Sequence, residues 1–242
     1  VPILKSDRSL SIASTGVNAN VLKIVAIIAM FFDHATLAFI PEGTPLNWSV
    51  HFFGRLAAPL ICYLIAEGYH YTSNKKAYTK RLFLFALISH FPYVLYYNLS
   101  IWKATSVMWS LTLGLIALTI ANHKKLNLYA KSALILACCL AAYTANWNYI
   151  AVLWIVSFGV FRDQFDKKVV AYVAIGFFLY VLPGIQEYGA AVSYRFGFLM
   201  AIVFFYLYNR QPGKRNAFIK WSFYWFYPAH LVLLLLLSTF FL

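Results

Sequence analysis

Long apolar stretches alternate along this chain with short polar joints. Nine apolar runs can be marked off, over residues 21–40, 50–69, 82–97, 106–121, 132–145, 149–161, 169–182, 194–208 and 218–242. A helix that crosses a bilayer needs roughly 17–25 such residues. The fifth and sixth runs fall short of that, so they either extend past residues 147 and 161 or form a re-entrant pair. The joints differ sharply in charge. Lys75, Lys76, Lys80 and Arg81 follow the second run, and Lys124, Lys125 and Lys131 the fourth. Arg162, Lys167 and Lys168 follow the sixth, and Arg210, Lys214, Arg215 and Lys220 the eighth, while the intervening joints carry only Lys103. Cytoplasmic loops are the ones enriched in Lys and Arg. The pattern predicts an all-α polytopic membrane protein of about nine transmembrane helices, N-terminus inside and C-terminus outside.

Composition agrees with that class. Apolar residues make up 62% of the 242 positions and charged residues 11%, against about 45–50% and about 25% in soluble domains. The formal net charge of +13 would point to nucleic acid in a soluble chain. Here the basic residues mark topology, and no nucleic-acid partner is expected. Cys62, Cys138 and Cys139 lie inside apolar runs without CxxC spacing, which gives neither a disulfide framework nor a zinc site. The chain opens on Val1 rather than Met, so its natural start is expected upstream. Residues 1–20 read as a polar cytoplasmic segment, and the first apolar run is too long for a signal-peptide core. No internal repeat divides residues 1–242, which read as one transmembrane domain.

Polar residues inside the runs carry the chemistry. Asp33 and His34 adjoin near the end of the first run, Arg55 sits early in the second, and His230 lies in the last. A charge at mid-helix in lipid costs about 2.5–3.5 kcal/mol on insertion scales, so it is retained where it faces a polar interior. The expected topology places Asp33, His34, Arg55, Arg195 and His230 at similar depth, with Glu67 near the cytoplasmic end. Each has a plainer reading beside the functional one. Asp33 and Arg55 would serve as an ion pair that packs two helices. His90 with Tyr93 and Tyr97 would form a hydrogen-bonded core stripe, and Glu67 would partner Lys75 or Lys76. Pro228 removes a helical hydrogen bond and frees the carbonyl of Tyr224. Tyr227 and His230, three residues apart, share a face, and a break there would aim both into a cavity. No HExxH, GxSxG or P-loop occurs, and no cluster has metal-ligand spacing. What remains is a base, an acid and a cation, a set suited to acyl transfer. A histidine takes a proton from the attacking group, a carboxylate steadies the imidazolium, and an arginine stabilises charge developing on oxygen. No Ser or Cys nucleophile stands beside the histidines, which favours direct transfer or a transient acyl-histidine. Whether His34 or His230 is the base stays open.

These residues sit in strings with a family resemblance. The segment LKIVAIIAMFFDH at 22–34 resembles the first helix of the TraX family, the F-pilin acetylases of conjugation systems. GRLAAPLICYLIAEGYHYT at 54–72 is similar to the family's second block, with Arg55, Pro59, Glu67 and Gly68 in place. RLFLFALISHFPY at 81–93 resembles its third helix, with His90 where Gln is common. SVMWSLTLGLIAL at 106–118 and FYPAHLVLLLL at 226–236 resemble two further blocks. The resemblance implies a multi-pass protein of the bacterial inner (plasma) membrane. It also implies an acetyltransferase that carries acetyl from cytoplasmic acetyl-CoA to an acceptor in the bilayer or envelope, a pilin or a glycan, without a metal. Asp33, His34, Arg55 and His230 are then the catalytic candidates. His70, Lys75, Lys76, Lys80 and Arg81 would meet the donor's phosphates, with Tyr227 as a further donor contact, although the positive-inside signal accounts for the basic loop equally well. Two other classes remain: a proton-coupled transporter relaying through Asp33, His34 and His230, and a non-enzymatic envelope assembly protein. Binding and slow hydrolysis of acetyl-CoA discriminate the enzyme from both.

Overall fold

The computed structural model describes residues 16–214 and 216–241, and the described elements are helices apart from two isolated bridges. Most of the segment expected to be a polar tail, residues 1–15, lies outside the described residues, as does Arg215. Helix α1 (Ala19–Phe39) starts where the Asn18 side chain accepts from the backbone N–H groups of Asn20 and Val21, a side-chain cap on otherwise orphan donors. It ends ahead of Pro41, whose ring disfavours helical geometry at the preceding residue. Thr44 caps α2 (Pro45–Gly54), with proline pre-set at its first position. A turn at Arg55 and Leu56 joins α2 to α3 (Ala57–Tyr71). Then come α4 (Lys75–Tyr96), α5 (Val107–Ala121), α6 (Leu128–Ala141) and α7 (Asn148–Val160). Helix α8 (Phe165–Gly176) passes through a π-helical turn, Phe177–Val181, into α9 (Leu182–Tyr188). A 3-10 segment, Gly189–Met200, leads into α10 (Ala201–Leu207), and α11 (Ala217–Phe241) closes the chain.

The all-helical expectation holds for these residues, and the helix count does not. Among the described residues, four helical stretches are long and apolar enough to cross a membrane: Ala19–Phe39, Pro45–Tyr71, Phe165–Leu207 and Ala217–Phe240. The fourth, fifth and sixth apolar runs form helices of 15, 14 and 13 residues, below the roughly 17 that a span needs. The seventh and eighth runs join in one helical stretch of 43 residues. An apolar run measures hydrophobicity, not where the backbone turns, so nine runs do not make nine spans. The sidedness counted from nine crossings, N-terminus inside and C-terminus outside, loses that support with the count.

Packing follows a closed order. Helix α1 packs on α3, α3 on α7, α7 on α5, α5 on α4, α4 on α11, and α11 returns to α1. The ring encloses a cavity of about 660 Å³ lined from α1, α3, α4, α5 and α11. Buried Trp154, Phe158, Leu115, Leu118 and Leu60 fill the contacts on the α3–α7–α5 side. Outward, α4 exposes Leu84, Leu87, Phe91 and Leu95, and α11 exposes Val232, Leu233, Leu236 and Phe240. Apolar stripes of that extent at helical spacing fit lipid rather than water.

Candidate functional site

A polar knot fastens α1 to α2. Oδ1 of Asp33 accepts from Nη2 of Arg55 and, at 2.8 Å, from Nδ1 of His51. His51 lies on α2 and Arg55 caps its C-terminus four residues on, so both reach one carboxylate from the same side. The other guanidinium donors are also used. Nη1 of Arg55 donates to the Tyr180 hydroxyl at 3.1 Å and Nε to the His51 carbonyl at 3.2 Å. Trp147 and Tyr194 lie against the guanidinium, their ring centroids 5.8 and 5.6 Å from its carbon. Gly54 permits this approach, because a Cβ there would overlap the Asp33 carboxylate. In lipid an unpaired charge is costly, and here the acid and the cation satisfy each other.

The two histidines make a second unit with a fixed hydrogen-bond order. Nδ1 of His230 lies 2.9 Å from the Phe226 carbonyl, which only accepts, so this nitrogen carries the proton. With both rings neutral, Nε2 of His230 must then accept, and Nδ1 of His34 donates to it across 2.7 Å. That assigns the proton of His34 to Nδ1 and leaves Nε2 with its lone pair. The Nε2 atom has no hydrogen-bond partner among the described residues, and His34 lines the cavity. Both side chains are buried. The Tyr96 hydroxyl donates to the His34 carbonyl at 2.6 Å, and the Tyr97 ring packs edge-on to the imidazole.

Asp33 and His34 stand near one end of the cavity and a basic rim at the other. Lys23, Arg81, Lys214 and Lys220 line it together with Asn20, Tyr78 and Tyr224. Asn20 ties the Lys214 segment to α1 by donating to the Lys214 carbonyl at 2.8 Å. On α1, Lys23 and His34 are separated by about 16 Å along the axis at about 1.5 Å per residue. The cavity is thus a long apolar slot with cations at one mouth and a neutral imidazole deep inside. Among the described residues no group of His, Cys, Asp and Glu is placed to hold a metal ion.

The structure gathers Asp33, His34, Arg55 and His230 in one region, as two adjoining units rather than one chain of contacts. Asp33 serves Arg55 and His51, whereas the imidazole of His34 is oriented by His230. Arg81 and Tyr227 line the cavity. Lys75 and Lys76 do not, and lie on a separate groove of about 420 Å³ with Thr112, Ile116 and Thr119 of α5. Glu67 pairs with neither lysine. It takes both Nε and Nη2 of Arg162, at 2.9 and 3.2 Å. His51, Tyr180, Lys23, Lys214 and Lys220 belong to the site or its rim without having been singled out in the sequence. His51 had a legible signal, its i,i+4 spacing to Arg55, while Tyr180 had none among 18 tyrosines. Outside the ring, Arg210 donates to Asp163 at 2.6 Å, and this hydrogen bond holds the carboxyl below its ordinary range.

Helices that ring a polar-centred cavity and expose apolar stripes outward define a membrane protein with an interior site. The family model described as "TraX protein" matches residues 18–238, and the chain belongs to the TraX family. It is also 29% identical over 227 residues to a protein of Dichelobacter nodosus named "Probable fimbrial assembly protein FimC, serogroup H1". That match covers 88% of this chain and 92% of the relative. No solved structure matches it.

Proposed function

We propose that this chain is a multi-pass acetyltransferase of the bacterial inner membrane, moving an acetyl group from cytoplasmic acetyl-CoA to an envelope acceptor. The observation that carries the reading is the order of the histidine hydrogen bonds, which leaves the lone pair on Nε2 of His34, a residue that lines a cavity large enough for a substrate. Such a nitrogen takes the proton of an attacking amine or hydroxyl. His230 acts through His34 and is a positioning residue. Asp33, fixed by Arg55 and His51, supplies a negative charge one residue from the imidazolium that forms. The rim of Lys23, Arg81, Lys214 and Lys220 suits the phosphates of coenzyme A, and the slot suits its pantetheine arm. Lys and Arg concentrate on cytoplasmic sides, and this favours a basic mouth that opens to the donor pool. The Dichelobacter relative's name, a probable fimbrial assembly protein, favours pilin over glycan as acceptor.

The test is mass spectrometry of pilins and envelope polymers from cells with and without the chain, and from cells carrying His34→Ala at matched protein level. A mass difference of one acetyl group that depends on the chain and disappears in His34→Ala supports the reading. Identical acetylation in all three overturns it.

A further inference from the structure

On the His230 side of the cavity, the structure holds donors with no hydrogen-bond partner among the described residues. The Tyr227 hydroxyl is buried, its residue only 4% exposed, and it has no hydrogen-bond partner among the described residues. Tyr227 lines the cavity, and its ring centroid is 5.5 Å from that of His230, the residue that orients His34. The hydroxyl lies beside the Val107 amide without reaching hydrogen-bond geometry.

Val107 is the first residue of α5, a helix of 15 residues. The first N–H groups of any helix lack intrahelical partners, and a capping side chain usually takes one. Here Ser106 occupies the cap position and makes no capping bond, and its hydroxyl is likewise buried and unpartnered. No hydrogen bond among the described residues takes the amides of Val107 or Met108, and both residues line the cavity. The segment is held firmly from behind. Asn146 N–H donates to the Thr105 carbonyl at 2.9 Å, Thr105 N–H to Thr144 at 3.0 Å, and the Ser110 hydroxyl to Asn146 at 3.0 Å. A rigid helix start with a tyrosine hydroxyl beside it concentrates partial positive charge on one point of the cavity.

We propose that the corner formed by the Tyr227 hydroxyl and the first amides of α5 receives the carbonyl oxygen of the acyl donor. The inference rests on the acetyl-CoA reading above and names the electrophilic half of that site. The acceptor's nitrogen or oxygen attacks the thioester carbon, and its proton passes to Nε2 of His34. The C=O electron pair moves onto oxygen, where the corner holds the oxyanion. Collapse re-forms the carbonyl and breaks the C–S bond. His34 returns its proton to the leaving sulfur, so the products are acetylated acceptor and free CoA thiol. Donors fixed in advance where charge develops need no reorganisation during the step.

Tyr227→Phe deletes the hydroxyl and keeps the ring. Three measurements on purified protein test the corner: turnover of acetyl-CoA, melting temperature, and the affinity ratio of two inert donor analogues. One analogue is acetonyl-CoA, a ketone that retains the carbonyl; the other is propyl-CoA, a thioether that lacks it. Wild-type protein is expected to bind the ketone at least fivefold more tightly, and Tyr227→Phe to bring the ratio close to one. Its kcat should fall about a hundredfold, within the range for loss of one such donor, with KM for acetyl-CoA rising by no more than the factor lost from the analogue ratio. The melting temperature should hold or rise, whereas a merely structural hydroxyl would lower it when lost. An unchanged ratio and kcat in Tyr227→Phe overturn the corner while leaving the acetyltransferase reading intact. Failure of wild-type protein to bind either analogue or to turn over acetyl-CoA overturns that reading and the corner with it.

Discussion

Removing either histidine should slow transfer, but by different amounts and with different rescue. His34 presents the free Nε2, so His34→Ala deletes the base, an effect typically worth 10²–10⁴-fold. His230 only accepts from Nδ1 of His34, at 2.7 Å in a buried setting. His230→Phe fills the space and leaves the Nδ1–H of His34 unpaired, at a cost of about 1–3 kcal/mol. Paid as loss of the productive tautomer and ring orientation, that is roughly 5- to 150-fold in rate, since about 1.4 kcal/mol is a decade. His230→Gln restores an acceptor near the position of Nε2 and should recover most of the loss, whereas His34→Gln should recover none. The assay is release of CoA thiol, or transfer of labelled acetyl, by detergent-purified protein at matched concentration, with melting curves to exclude unfolding. His230→Phe as inactive as His34→Ala, with no rescue by His230→Gln, would refute the order of the relay. Near-normal transfer in His34→Ala would refute the assignment of the base.

Three further outcomes are expected. Asp33→Ala strands the Arg55 guanidinium and should destabilise the fold by about 3–5 kcal/mol, with the Asp33→Ala, Arg55→Ala double variant regaining part of it; an unchanged melting temperature in Asp33→Ala would show the knot to be inert. Lys214→Gln with Lys220→Gln should weaken CoA binding more at low salt than at high salt, while Lys75→Gln with Lys76→Gln, on the separate groove, should leave it within about twofold. The reverse ranking in a titration would move the donor site to that groove. Glu67→Gln removes the charge partner of Arg162, which follows the neighbouring α7, and should lower the melting temperature, partly regained in Glu67→Gln with Arg162→Gln; a Glu67→Gln protein that melts with wild type would remove this pair from the fold's supports.

Much of the site was legible because charge in an apolar run is expensive. Asp33, His34, Arg55 and His230 stand out in the bare sequence for that reason, and the fold brings all four together. How they connect was not legible. Adjacent residues on a helix point about 100° apart, and Asp33 and His34 accordingly serve different partners, on α2 and α11. The order of helices around the ring decides that, and no local pattern encodes it. His51 escaped notice because a histidine near the start of a run does not break the apolar pattern. Glu67 was expected to take the lysines nearest in sequence, but it sits 95 positions from its partner. Arginine's planar fork engages both carboxylate oxygens, which a lysine ammonium does not match. The span count failed for a related reason: apolar runs of 13 to 15 residues fill the ring's interior contacts as short helices.

The polar groups of the interior fall into two sets, and the division bears on function. Oδ1 of Asp33, the Arg55 guanidinium, Nδ1 of His51 and both ring nitrogens of His230 have hydrogen bonds made by protein. The Nε2 of His34, the Tyr227 hydroxyl and the first amides of α5 do not, and all belong to residues lining one cavity. Away from water an unpaired polar group costs on the order of several kcal/mol. A knot selected only to pack helices has no reason to leave such groups unmatched on a shared wall. A proton relay would connect donor to acceptor in sequence, whereas no hydrogen bond among the described residues joins Nε2 of His34 to the Tyr227 hydroxyl or to the α5 amides. An acceptor for a proton on one side and donors for negative charge on the other match the two demands of nucleophilic attack on a carbonyl. The satisfied set then has a definite task, holding the unsatisfied set rigid, and the Asp33–Arg55 pair acts as scaffold and counter-charge without being the base.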